Sequence, residues 1–94
     1  MKISISFLKS NYDLDETISR INNINDDSII HVDIIDGKYV DASKTDLDKY
    51  INALEKASKP LDIHLMVNHP IEYINRLIKL NPDIITVHFD CLDD

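Results

Sequence analysis

Ninety-four residues with a 44% hydrophobic content suffice for one small core, and seventeen acidic against ten basic side chains leave a formal charge of -7. A binder of phosphate backbones needs clustered Lys and Arg, so nucleic acid is not an expected partner. The lone Cys91 can form no intramolecular disulfide, "MKISISFLKS" lacks a secretory apolar core, and no apolar run nears the ~20 residues that span a bilayer, so the expectation is a cytoplasmic chain with no membrane partner.

The first element, "KISISFL" from Lys2 to Leu8, alternates apolar and small polar residues as a strand does. The period then changes. Leu14, Ile18 and Ile21 recur at helical spacing behind Asp13, which is placed to cap the helix, and "NNINDDS" closes it.

A second strand is expected from Ile29 to Asp36, ending at Gly37, the only glycine. The second helix carries Leu47, Tyr50, Ile51, Leu54 and Ala57 on one face, with Thr45 or Ser43 as its expected cap and Pro60 beyond its end. The third strand, "LDIHLMV", covers Leu61 to Val67, and the third helix opens at Pro70 and is expected to turn Ile71, Ile74, Leu77 and Ile78 inward. "NPD" breaks that helix before a fourth strand, Asp83 to Asp90.

Strands alternating with helices give right-handed crossovers and a parallel sheet, so the fold class is α/β. No linker or low-complexity tract divides the chain, which is expected to be a single unit over residues 1–94.

Parallel strands covered on both faces read as unbroken apolar runs, and these do not. With a period of two, Ile30, Val32 and Ile34 share one face of the second strand and His31, Asp33 and Ile35 the other. Ser4 with Ser6, His64 with Met66, and His88 with Asp90 repeat the arrangement. One oily and one partly polar face per strand, with the polar groups gathered late in the strand, is the pattern of a (β/α)₈ barrel, whose active site lies at the C-terminal ends of its strands.

Buried ionisable groups are normally paired, hydrogen-bonded or metal-bound, because an unpaired one costs several kcal/mol. Two histidines and an aspartate converging from neighbouring strands suit zinc, iron(II), manganese or cobalt. A hydrogen-bonded His–Asp pair that orders the barrel mouth accounts for the same residues. His88 and Asp90 repeat the spacing of His31 and Asp33 and are open to either reading, His69 is expected to be exposed or a cap, and Cys91 an inert thiol.

"HVDIIDGKYV", "PLDIHLMVNHPIEYI", "NPDIITVH" and the opening "KISISFL" together resemble the N-terminal half of ribulose-phosphate 3-epimerases, in the same order and over nearly the whole chain. The resemblance implies the N-terminal part of a (β/α)₈ TIM barrel, about four parallel strands and three helices. It also implies a divalent-metal enzyme of the pentose phosphate pathway that interconverts D-ribulose 5-phosphate and D-xylulose 5-phosphate by proton removal at C3 through an enediolate. His31, Asp33 and His64 are the metal ligands it implies, with Asp33 doubling as one of two acid/base groups, and Ser6, His64 and Met66 as the groups that meet the sugar phosphate.

Ile5 and Ile35 replace a proline and a methionine of the family pattern and keep apolar groups there, whereas "VDAS" at 40–43 changes a loop over the site and leaves substrate identity open. A hexulose-phosphate 3-epimerase acting on allulose 6-phosphate shares the motifs. The family's late aspartate and glycine-rich phosphate loops have no counterpart here, so the chain alone is expected to be inactive: a partial domain of a longer enzyme, a non-catalytic remnant, or a half-barrel that pairs with itself. Uncovered sheet edges make a homo-oligomer the expected state.

Overall fold

The computed structural model of the chain describes residues 3–7, 13–24, 27–39, 44–88 and 90. Four strands, β1 (Ile3–Ser6), β2 (Ser28–Ile35), β3 (Leu61–Met66) and β4 (Ile84–Thr86), alternate with three helices, α1 (Leu14–Asn22), α2 (Leu47–Leu54) and α3 (Pro70–Leu77), the last continued by a 3₁₀ turn, Ile78–Leu80.

All strand pairs are parallel and the sheet order is β1-β2-β3-β4. Because each crossover moves one strand further in the same direction and right-handed connections put the helix on one side, the helices share a single face of the sheet. That is the winding of a barrel, without the reversal of a doubly wound sheet. The architecture is the N-terminal part of a TIM barrel, as the alternation of the strands predicts.

The core lies between this face and the helices. Ile30, Val32 and Ile34 of β2 and Leu61, Ile63 and Leu65 of β3 are buried against Ile18 and Ile21 of α1, Ile51, Ala53 and Leu54 of α2, and Leu77 of α3. Each of these branched side chains contributes about 1.5–3 kcal/mol by leaving water, and Ala53 less. Phe7, just past β1, meets Tyr50 edge to face at 5.2 Å and fixes the first strand to α2.

Caps and crosslinks set the helix ends. Asp13 caps α1 as expected, its carboxylate accepting from Glu16 N at 2.7 Å. The Asn22 amide donates to Lys56 O and accepts from Ser58 N, both at 2.9 Å, joining the ends of α1 and α2. α2 is capped by Asp46, which accepts from Lys49 N, and not by Thr45, whose hydroxyl is used by β2; Ser43 lies outside the described residues.

Two further expectations are corrected. In α3 the inward stripe is Pro70, Tyr73, Ile74 and Leu77, whereas Ile71 and Ile78 stand one position around the helix and are 62% and 64% exposed. β4 covers three residues, not Asp83 to Asp90, because its ladder with β3 ends at His64↔Thr86. Cys91 lies outside the described residues.

Candidate metal centre

Opposite the helices, the second set of alternating strand residues lines an open face. Register places its members: Ser6 beside His31, His31 beside Asp62, Asp33 beside His64, Ile35 beside Met66, and His64 beside Thr86. Paired strands lie about 4.8 Å apart, so each pair brings two side chains within reach of one another.

Asp33 is the centre of the cluster. Its Oδ1 lies 2.9 Å from His31 Nε2 and 3.2 Å from His64 Nδ1. The donor atoms of His31, Asp33 and His64 all fall within 4.8 Å of one another, and the three side chains are half-buried. Two imidazole nitrogens and a carboxylate oxygen, gathered on a face that is neither sealed nor fully wet, fit a borderline divalent cation such as zinc, iron(II), manganese or cobalt. Partial burial disfavours the charged His31 ring, but its hydrogen bonds to Asp33 and Asp62 and their negative charge outweigh this, and its pKa rises above the ordinary 6.5.

The structure thus brings together His31, Asp33 and His64. Ser6 shares their face at the exposed end of β1, and Met66 shares it half-buried at the end of β3, two ladder steps beyond His64.

Other members of the cluster are less visible in the sequence. Asp62 Oδ2 lies 3.3 Å from His31 Nδ1. Its signal is the period of two that it shares with His64 and Met66. His88 Nε2 lies 2.8 Å from His64 Nε2, and the two rings stack at 4.9 Å. Asp90 does not accompany His88 toward Asp33; it accepts a 2.8 Å hydrogen bond from Tyr39 OH. The Tyr39 ring in turn packs 5.1 Å from His88. His69 is exposed at the N-cap position of α3, with φ of 49° and no side-chain capping bond.

Asp36 shapes the loop that carries Tyr39. Its Oδ1 accepts from Lys38 N and Tyr39 N, while Oδ2 accepts from Asn68 N at 2.7 Å, tying the loop after β2 to the loop after β3. Gly37, at φ 76°, supplies the left-handed residue this turn requires. Desolvation raises the Asp36 pKa, but these backbone N–H bonds outweigh it and hold the carboxyl below its ordinary value. Residues 40–43, the altered loop segment, lie outside the described residues, and among those described no helix is long and apolar enough to cross a membrane.

The chain matches the ribulose-phosphate 3 epimerase family over residues 2–94. It is 31% identical over 88 residues to the ribulose-phosphate 3-epimerase of Helicobacter pylori strain J99, covering 94% of this chain and 40% of that protein. It is 37% identical over 62 residues to the Synechocystis ribulose-phosphate 3-epimerase, covering 65% of this chain and 26% of that one. With the chloroplastic ribulose-5-phosphate-3-epimerase of Arabidopsis thaliana it shares 38% identity over 60 residues, covering 63% and 21% of the two chains. The chain therefore spans about 40% of the length of the Helicobacter relative that it matches nearly end to end.

Proposed function

We propose, because the chain belongs to the ribulose-phosphate 3-epimerase family, that its open sheet face is one half of a metal-dependent sugar-phosphate 3-epimerase site acting on D-ribulose 5-phosphate and D-xylulose 5-phosphate. The observation that carries this reading is the position of Asp33 Oδ1 between His31 Nε2 and His64 Nδ1, at 2.9 and 3.2 Å.

His31 and His64 provide neutral nitrogen ligands and Asp33 an oxygen ligand. A divalent cation held there supplies Lewis-acid stabilisation of negative charge on the substrate oxygens. A proton next to a ketone is a weak acid, so its removal needs a carboxylate in hydrogen-bond reach, and Asp33 takes that role. Ser6 and Met66 border the same face, the hydroxyl to bind substrate oxygen and the thioether to exclude water beside the reacting carbon. Inversion at one carbon requires a second acid/base group on the opposite side, and Asp33 can be only one of the two.

The test is metal titration of the chain together with epimerisation of ribulose 5-phosphate. The expected results are one zinc or cobalt(II) per chain, lost on His31→Ala and on Asp33→Ala, and little turnover by the 94 residues alone. A chain that binds no metal overturns the metal assignment, and rapid epimerisation overturns the half-site.

A second reading, a self-associating half-barrel without catalysis, is favoured by the sheet edges. Among the described residues β1 and β4 each have one hydrogen-bonded neighbour, and their Ile3 and Ile84 are 53% and 48% exposed. Light scattering that finds a stable oligomer, in a chain that takes up no metal, selects this reading.

A further inference from the structure

Each histidine of the cluster has one ring nitrogen facing Asp33 and the other facing a group on the next strand or its extension. For His31 the inner nitrogen is Nε2 and the outer is Nδ1, which lies 3.3 Å from Asp62 Oδ2. For His64 the order is reversed: Nδ1 faces Asp33 and Nε2 lies 2.8 Å from His88 Nε2. A neutral imidazole carries one lone pair and one N–H, so a ring that gives its lone pair to a metal must donate from the opposite nitrogen.

We propose that Asp62 and His88 are positioning residues that fix the two metal-binding imidazoles in opposite tautomers, His31 coordinating through Nε2 and His64 through Nδ1. This inference rests on the metal reading above and assigns roles to residues outside the three ligands. Asp62 accepts from His31 Nδ1–H, and His88 Nε2 accepts from His64 Nε2–H, which leaves the His88 proton on its own Nδ1.

The fold supports both acceptors. Asp62 stands directly across the ladder from His31. His88 follows Thr86, the ladder partner of His64, by two positions and so returns to the same face. Its ring is held between His64 at 4.9 Å and Tyr39 at 5.1 Å. The acceptors differ in charge: Asp62 is an anion, His88 a neutral ring. A charge-assisted hydrogen bond is roughly twice as strong as a neutral one, so Asp62 has the larger effect.

The experiment is zinc binding by calorimetry, with ¹⁵N NMR of the histidine rings in the zinc-loaded chain. Asp62→Ala is expected to weaken zinc binding towards 100-fold and His88→Ala about 10-fold, the range for groups that orient metal ligands. Asp62→Asn, which keeps an acceptor oxygen without its charge, recovers about 10-fold of its loss, and His88→Gln, neutral like the ring it replaces, recovers most of its own, a rescue that a purely structural role does not produce. Both side chains border an open face, and circular dichroism of the metal-free variants reports whether folding is kept; the Asn and Gln variants carry the test if an alanine variant unfolds. The ring spectra are expected to show His31 protonated at Nδ1 and His64 at Nε2. Unchanged affinity in the alanine variants, no recovery in the Asn and Gln variants, or the opposite tautomers overturns the proposal. Absence of zinc binding by the unaltered chain overturns the metal reading and this inference with it, a result distinguishable from binding that is insensitive to Asp62 and His88.

Discussion

Thr45 and Ile35 exchange two hydrogen bonds: Ile35 N donates to Thr45 Oγ1 at 2.9 Å, and Thr45 N donates to Ile35 O at 2.8 Å. The residue that enters α2 is thereby clamped to the last residue of β2, on the strand that carries His31 and Asp33. Thr45→Val keeps the shape and the Thr45 amide bond but leaves Ile35 N without its acceptor. The expected loss is about 1 kcal/mol, read as a lowered urea midpoint.

Asp36 joins two loops through its carboxylate, and its pKa is held below the ordinary 3.8. A depressed carboxyl contributes stability that is present above 3.8 and is lost as pH falls through the lower folded-state value. Asp36→Asn is therefore expected to be less stable than the unaltered chain at neutral pH, by about 1 kcal/mol. The gap should close in chemical denaturation series carried below pH 3.8. A constant gap across that window overturns the electrostatic part of the account.

Asp33 faces both imidazoles, so on the metal reading proposed above its loss removes a ligand as well as the group between the two rings. Asp33→Asn is expected to weaken zinc by more than about 100-fold, beyond the range of outer groups, with the fold retained. Calorimetry measures the affinity, and far-ultraviolet circular dichroism the fold.

Ser28 opens β2 on the helix-facing side, and its buried Oγ has no hydrogen-bond partner among the described residues. A buried hydroxyl without a partner carries a desolvation cost of about 1–3 kcal/mol, so Ser28→Ala is expected to raise thermal stability by about 1 kcal/mol once the lost packing is set against it. A lower melting temperature would show that the hydroxyl has a partner.

The sheet and the cluster were legible for the same reason. Alternation along "IIHVDII" and "LDIHLM" separates a packed side from a polar side without any tertiary knowledge, and it put His31, Asp33 and His64 on one face. What it could not supply is register. Asp62 lies 31 positions from His31, and only the ladder reveals that they stand side by side. The cap of α2 failed for a similar reason, since Thr45 and Asp46 are both capping types, and the use of the Thr45 hydroxyl by Ile35 is a fact of tertiary structure. The inward stripe of α3 was drawn too wide, because an eight-residue helix crossing one sheet buries a narrower band than its apolar content suggests.

The ladder of β2 with β3 sets Asp33 against His64 and, one step later, Ile34 against Leu65. Sliding β3 by a single residue would turn the His64 imidazole or the Asp62 carboxylate into the packed layer and bring Ile63 or Leu65 to the polar side. Stability and chemistry are therefore written on alternate letters of the same two strands, and the oily letters act as the ruler that measures out the polar ones. A substitution such as Ile63→Ala, which touches none of the ionisable groups, loosens that ruler. Its harm to the cluster is transmitted by alignment and not by contact.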